Sequence, residues 1–399
     1  MIWKEHDHCR ACGSGGLTQV LSLGDQPMAN DFRKRAGHIR VPLHVLFCNK
    51  CTLAQLSVVV DPQFLYSQYT YVTPPSQSML NHVDRLMAEI ETETGKGSVI
   101  EIGSNDGLFL DHLTRHGFGP VLGVDPATNL CKLASNRGIK TLNKPFSRDT
   151  AIDIGKRADV VIARHVFAHV DNWIDFMQGL ELVTHENSLV VLEFPYAKDM
   201  VENGHWDSIY HEHLSYISLF PLDILLHDTA FTLYNVLHYP VHSGSLVVML
   251  RNKKCDKAVD QSVTDFLSHE PIRENLWHEF SKHAHVTIKR LGDLIRSLSA
   301  VGQSVAGYGA PAKATVVINA CGWDKSNIRY VTDTTPIKID TVVPGTDIPV
   351  VGDDELLKGQ PDYAVMFAHN YAPDIIRAKE QYLERRGRFI IPVPDVKII

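Results

Sequence analysis

The sequence predicts an α/β fold. It consists of a mostly parallel sheet ending in an antiparallel hairpin, an N-terminal metal-stapled module and a second, Rossmann-like α/β domain at the C-terminus. Three observations predict it. Two CxxC pairs stand near the start. Short apolar strands alternate with helical stretches between residues 98 and 193. The same alternation begins again at 304. Strands separated by helices imply parallel pairing with both faces covered. A chain of 399 residues exceeds one ordinary core. The divisions fall at 1–75, 76–255 and 256–399.

Each element follows from its local pattern. Residues 1–75 are too few to be well supported by their own apolar core, so bound metal would supply folding free energy. The tyrosine stretch Tyr66, Tyr69, Tyr71 runs into Pro74-Pro75 and reads as a loop. A helix spans Ser78 to about Glu93. The runs Ser98–Gly103, Val121–Asp125, Asp159–Ala163 and Ser188–Glu193 are short buried strands, with a helix from Leu108 to His116 after the first. Phe231–Tyr239 and Gly244–Arg251 read as the antiparallel pair. From Asp260 to Ser299 the pattern is helical and amphipathic, with Leu276, Phe280, His283, Val286, Ile288, Leu291, Leu294 and Ile295 repeating. Strands at Ser304–Tyr308, Ile328–Asp333, Tyr363–Phe367 and Arg388–Val393 then build the C-terminal domain.

Composition narrows the partners. The chain is 44% hydrophobic and 21% charged, with a net charge of -7. That balance excludes a nucleic-acid partner, which needs a basic face. No run of about 18 apolar residues suggests a membrane span. The start, Met1-Ile-Trp-Lys-Glu, lacks the apolar core of a signal peptide, so a cytoplasmic, reducing location is expected. Of seven cysteines, four form Cys9-Arg-Ala-Cys12 and Cys48-Asn-Lys-Cys51. Each pair can offer two thiolates from one turn, and two pairs complete a tetrahedron around structural Zn²⁺. Four thiolates close the coordination shell and leave no catalytic position.

A second motif lies at the end of the strand Ser98–Gly103: Glu101-Ile-Gly103-Ser-Asn105-Asp106-Gly107. The glycines allow a tight turn and close approach of backbone to a ligand. Asp125, ending the next strand, is placed for ribose hydroxyls. The E-x-G-x-x-x-G spacing differs from the dinucleotide fingerprint, in which a helix start holds a pyrophosphate. It resembles the class I methyltransferases that use S-adenosylmethionine as methyl donor. Phe146, Arg164 and His165 are then expected to flank the adenine and methionine ends.

The third motif is Tyr210-His211-Glu212-His213, a phenol, a carboxylate and two imidazoles in four residues. Imidazole and phenol move protons near neutral pH. A metal held by His211, Glu212 and His213 is poorly served by this spacing, because adjacent side chains diverge. Together with the CxxC pairs, His169 in Arg164–Asp171, Glu193-Phe-Pro-Tyr196, His242-Ser-Gly-Ser-Leu246, Gly307–Lys313 and Pro344–Pro349, it resembles the sugar-nucleotide C-methyltransferases. These enzymes add a methyl branch to C-3 of a nucleotide-linked 4-keto-6-deoxy sugar. The chain departs from that pattern at Arg164, where Asn is frequent, and at Ser243-Gly244, where Gly-Gly is frequent.

The resemblance implies the site. His213 is the base, with Tyr210 its rival. Glu212 orients an imidazole or binds a sugar hydroxyl. His169 and a loop tyrosine, Tyr69 or Tyr71, complete the pocket. Tyr196, His242, Tyr308 and Lys313 contact the nucleotide sugar. Lys313, at a strand-to-helix turn, either adds charge for a diphosphate at the helix start or lies in solvent beside a close-packed turn. A monomer or weak homodimer is expected. Two other readings compete: an O- or N-methyltransferase acting on a nucleotide sugar, which would need no carbon base, and a non-catalytic regulatory protein binding zinc and S-adenosylmethionine.

Overall fold

The structure is a computed structural model that describes residues 2–35, 37–67, 69, 77–239, 244–268 and 272–399. Its largest sheet has seven strands among the described residues. In spatial order they are Phe231–Tyr239, Ser245–Asn252, Thr184–Pro195, Ala158–Arg164, Val99–Ile102, Val121–Val124 and Thr141–Leu142. Ser245–Asn252 runs antiparallel to both neighbours, and the remaining pairings are parallel. This is the class I methyltransferase sheet, with the expected hairpin at its edge. The central strands are apolar on both faces because helices cover both. Val160, Val161, Ile162, Leu189, Val190, Val191 and Leu192 are all buried.

Gly103 and Gly107 make the turn after Val99–Ile102 possible. Both have positive φ, +67° and +76°. A Cβ on Gly103 would fall 2.2 Å from a Val166 methyl, and one on Gly107 would fall 3.0 Å from Ala134 Cβ. The helix Leu108–Arg115 starts directly from Gly107.

The C-terminal sheet has the order Val350–Gly352, Val331–Asp333, Val305–Tyr308, Tyr363–Met366, Arg388–Ile391, Lys397–Ile398, parallel except for the last pairing. Its strands are shorter than the apolar runs suggest. Ile328 is buried in a loop before Val331–Asp333, and Phe367 and Val393 lie past the ends of their strands.

The N-terminal part is richer in strand than expected. Leu17–Pro27, Arg40–Cys48 and Ala54–Leu56 pair antiparallel, and Ser215–Tyr216, more than a hundred residues away in sequence, adds a fourth strand beside Ala54–Leu56. The tyrosine stretch is not all loop. Asp61 caps a short helix, Pro62–Tyr66, through Gln63 N–H.

Helix Glu274–Ala300 crosses the apolar face of this N-terminal sheet. Its buried stripe is Trp277, Phe280, Ala284, Thr287, Leu291 and Ile295. Val286, expected on that stripe, is exposed: the helix turns its 277-280-284-287-291 row inward, and 286 falls on the opposite face. His283 instead donates through Nε2 to the Pro394 carbonyl, 3.0 Å away. The N-terminal sheet therefore borrows its core from the C-terminal unit, as its small size demands. No helix among the described residues is long and apolar enough to cross a membrane.

Trp277 is fully buried, with its ring centroid 5.7 Å from Tyr216 and 5.6 Å from Phe280. Trp277→Ala should destabilise the protein by about 3–5 kcal/mol, read as a lowered urea midpoint with unchanged slope.

Candidate active site

Four sulfur atoms, from Cys9, Cys12, Cys48 and Cys51, lie within 4.8 Å of one another. The Cys9–Cys51 and Cys12–Cys48 separations are 3.3 and 3.6 Å. Thiolates on a tetrahedral zinc, at bond lengths of about 2.3 Å, stand about 3.8 Å apart. The geometry fits. The electrostatics fit too. A hydrogen bond from Cys51 pulls the Cys9 thiol down to about 5, while burial pushes Cys12 up to about 11. Four thiols so close ionise together only around a cation. Structural Zn²⁺ belongs here.

Arg10, between the first two ligands, turns its side chain inward. Its guanidinium donates to the carbonyls of Leu56 and Leu214, each at 3.3 Å, and to Asp171 at 3.3 Å. Leu214 follows His213, and Asp171 lies two residues past His169. The zinc knuckle thus grips both histidine segments.

The donor site forms at the carboxyl ends of the parallel strands. Asp125 accepts from the backbone N–H of Asn105 (2.9 Å) and Ala127 (2.8 Å), which holds the turn against the second strand. Burial pushes its carboxyl up to about 6. Glu101 is buried, and one of its oxygens accepts from the Arg164 guanidinium at 3.0 and 3.2 Å. Burial raises Glu101 to about 7 against that charge. Its other oxygen, and the Ser104 hydroxyl, are buried with no hydrogen-bond partner among the described residues. S-adenosylmethionine fits these residues: its ammonium and ribose hydroxyls are donors, and the site presents carboxylate acceptors beside a turn that a Cβ would fill.

For three expected ligand contacts the structure supplies other partners. Asp106 accepts from Leu108 N–H and pairs with Arg137 at 2.8 Å, fastening the helix start. Phe146 packs edge-on against Phe176, 5.2 Å away. Tyr308 packs against Phe389 beneath the Lys379 ammonium. These side chains lie where packing and capping claim them. Tyr71 and His242 lie outside the described residues.

The acceptor cluster is built on a β-turn. His213 N–H donates to the Tyr210 carbonyl at 2.9 Å, so His211 and Glu212 are the corner residues and diverge. His211 Nε2 faces the carbonyls of Val41 and Pro42 at 3.1 and 3.3 Å. Glu212 goes elsewhere and accepts from Tyr69 (2.8 Å) and Asn30 (2.8 Å). It orients no imidazole among the described residues, because the corner geometry carries it away from the rings of His211 and His213. Burial raises its carboxyl in spite of those two bonds.

Tyr210 and His213 close the turn with a 2.7 Å bond between the phenol and Nε2. His213 Nδ1 lies 2.8 Å from the Ser208 carbonyl. A carbonyl only accepts, so Nδ1 carries the proton and Nε2 is the lone-pair nitrogen that receives the Tyr210 hydroxyl. Burial holds His213 down at about 4, helped by the charge of Lys313.

His169 stands beside it, with ring centroids 5.1 Å apart at 87°. His169 Nδ1 is 3.2 Å from the Tyr66 hydroxyl, and Tyr66 stacks edge-on with Tyr69. Burial, then the neighbouring histidines, keep His169 well below its ordinary range. Both imidazoles are neutral at physiological pH.

Several residues take part in ways that the sequence did not assign. Asn30 and Tyr66 come from the N-terminal part. Glu193 is fully buried, accepts from His82 at 2.7 Å and faces His165 at 3.3 Å. Its contacts with His165 and His82 outweigh the burial and hold its carboxyl well below the usual range. An acid inside an otherwise apolar strand was the available signal for Glu193. Tyr196 is buried against His238 and lines a cavity with His213, Ser208 and Tyr216. Lys313 is largely buried, 3.8 Å from Asp207, and not in open solvent.

Three family models match consecutive parts of the chain. A proposed zinc binding domain matches residues 9–66, a methyltransferase domain residues 77–236, and a C-methyltransferase C-terminal domain residues 240–394. The C-methyltransferase NovU of Streptomyces niveus is 33% identical over 412 residues, covering 100% of this chain and 98% of that protein. Solved structures similar to parts of it include magnesium protoporphyrin IX methyltransferase of Synechocystis with bound donor (14% identity, 44% of this chain and 80% of that one, TM-score 0.35). Another is the N-methyltransferase NodS of Bradyrhizobium japonicum (12% identity, 45% and 99%, TM-score 0.35).

Metal analysis of the purified protein should find about one zinc per chain. Cys48→Ser should lower that content, lower the melting temperature and abolish turnover, because Arg10 then loses its anchor; full activity in a zinc-free sample would contradict the coupling.

Proposed function

The chain belongs to the C-methyltransferase family, and we propose that it methylates C-3 of a nucleotide-linked 4-keto-6-deoxy sugar through a base-generated enolate. The enzyme is an S-adenosylmethionine-dependent C-methyltransferase; the acceptor, the position and the enolate are our reading. The observation that carries it is the Tyr210–His213 pair: a phenol bonded at 2.7 Å to an imidazole nitrogen that is unprotonated. An oxygen or nitrogen acceptor already carries a lone pair, whereas a carbon bound to hydrogen is no nucleophile until the proton leaves.

Bound S-adenosylmethionine supplies an electrophilic methyl on a positive sulfonium. The chain's own residues do the rest. The C-3 proton passes to the Tyr210 oxygen as the Tyr210 proton moves to His213 Nε2, so the imidazole is the final acceptor. The electron pair left behind delocalises onto the C-4 oxygen. His169, with Tyr66 and Tyr69 behind it, lies beside the pair and offers hydrogen bonds to that oxygen. Glu212, fixed by Tyr69 and Asn30, is left to accept from a sugar hydroxyl. Arg164 ends the strand Ala158–Arg164 and His165 follows it directly, so donor and acceptor groups project from one strand end. That proximity favours the in-line approach of carbon to methyl.

The nucleotide is assigned to the crevice between the two α/β units. The helix Ala312–Ala320 begins there, with Lys313 turned toward the His213 side. A diphosphate at this helix start would meet backbone N–H groups and one ammonium. The segments 1–75, 76–255 and 256–399 then divide the work as scaffold, methyl transfer and nucleotide holding.

His213→Ala should reduce kcat on the order of 10²-fold or more while donor binding, measured by calorimetry, survives. Near-normal turnover would move the base elsewhere. Incubation in deuterated water without donor should exchange the C-3 hydrogen of the substrate in wild type but not in His213→Ala, separating carbon from oxygen methylation. Because the folded His213 takes a proton only near pH 4, the acid limb of kcat should lie well below the ordinary histidine value of about 6.5. Lys313→Met removes a positive charge and should move that limb to higher pH.

A further inference from the structure

Asp207 lies outside the cluster just described, yet it is fully buried and ionisable. It sits in the short turn Trp206–Ser208 that leads into Tyr210. One carboxylate oxygen accepts from His369 Nε2 at 2.6 Å. No hydrogen-bond donor among the described residues reaches the other, whose nearest cation is the Lys313 ammonium at 3.8 Å. Lys313 in turn donates to Asn370 at 3.3 Å. The His205 ring lies parallel to that of His369, with centroids 5.9 Å apart. Burial opposes the charge on Asp207, but Lys313 and His369 outweigh it and hold the carboxyl well below its usual range.

Lys313, His369 and Asn370 all come from the C-terminal unit. Asp207 comes from the segment that carries the Tyr210–His213 turn. The residue after it, Ser208, supplies the carbonyl that takes the His213 Nδ1 proton. We infer that Asp207 is a positioning residue for the Tyr210–His213 pair: it ties this segment to the C-terminal unit and so holds the Ser208 carbonyl against His213 Nδ1. Nothing in its position touches the reacting atoms. Its effect passes through one carbonyl, which decides the imidazole tautomer and therefore which nitrogen is the base. The same carboxylate faces the ammonium assigned to the nucleotide, so occupancy of the crevice and orientation of the base share one anchor.

A metal ion is the rival reading. His205, Asp207 and His369 each place a ligand-type atom within 4.8 Å of the others. The Lys313 ammonium already stands opposite the free carboxylate oxygen, however, and a divalent cation there would meet a like charge.

The inference rests on His213 as the base, so one readout avoids turnover. In protein labelled with ¹⁵N-histidine, with His213 assigned by difference from His213→Gln, the wild-type signals should report a single Nδ1–H tautomer. Asp207→Asn should give a mixture of tautomers. It should also lower kcat on the order of 10²-fold, with the donor KM within about twofold of wild type. A folding role alone would lower the melting temperature and leave the tautomer single in the folded fraction. If Asp207→Asn does not fold, His369→Leu serves: it keeps the carboxylate and removes one donor, and should shift the same signals. A single wild-type tautomer in whichever variant folds overturns the inference. So does a second metal ion per chain that disappears with Asp207→Asn. Loss of turnover in His213→Ala with no change in Asp207→Asn would leave the base in place and discard the anchor; normal turnover in His213→Ala would discard the base instead.

Discussion

The guanidinium of Arg10 is the point on which the rest of the site depends. It is buried, and a buried charge is tolerated only when it is paired and hydrogen-bonded, as the two terminal nitrogens of this guanidinium are. Its partners are carbonyls of the N-terminal sheet and of Leu214, together with Asp171. Zinc fixes the knuckle that carries it, and the pairing of Ala54–Leu56 with Ser215–Tyr216 continues the same sheet into the chain just past His213. The metal is therefore remote from the chemistry yet sets its frame. The two histidine segments are held by one side chain because the sequence places Arg10 between two thiolate ligands.

Burial then decides the chemistry within that frame. The proposed methyl-transfer site collects phenols, imidazoles and carboxylates in the buried interior. Low exposure disfavours charge, so His213 and His169 stay neutral and Glu212 moves toward neutrality. Neutral imidazoles can accept protons; charged ones cannot. Among the buried carboxylates, Glu193 and Asp207 keep their charge, and each faces histidines or a lysine that offset the loss of water. Such pairs hold parts of the chain that are far apart in sequence: Glu193 with His82, and Asp207 with His369.

The three parts of the chain do not behave as independent beads. The N-terminal sheet lies against the helix Glu274–Ala300, and Thr315, from the C-terminal unit, donates to the Ala29 carbonyl beside Asn30. Asn30 holds Glu212. A residue of the C-terminal helix thus reaches the acceptor cluster through two hydrogen bonds. This explains why a module with little core of its own can deliver side chains at defined positions.

Much of the architecture was legible because it is written in local periodicity. Four thiols at CxxC spacing specify a metal whatever surrounds them. Apolar runs of strand length between helices specify a parallel sheet, and the glycines after Glu101 specify a turn that only glycine tolerates. The motif Tyr210–His213 announced proton chemistry by composition alone. The sequence could not assign its four side chains to partners, because a β-turn sends the corner residues apart and the end residues together. Nor could it show that Asp106 and Phe146 are claimed by capping and packing, that Val286 falls on the outer face of its helix, or that Asp207 meets Lys313 and His369. Those outcomes depend on which surfaces meet across gaps of up to about three hundred residues. Residue types and their spacing determined the fold class, the metal and the kind of chemistry, since these follow from bonding rules that act over a few residues. Tertiary packing alone decided which nitrogen is free, which carboxylate is held and which cation faces it, since hydrogen bonds and charges act through space and not along the chain.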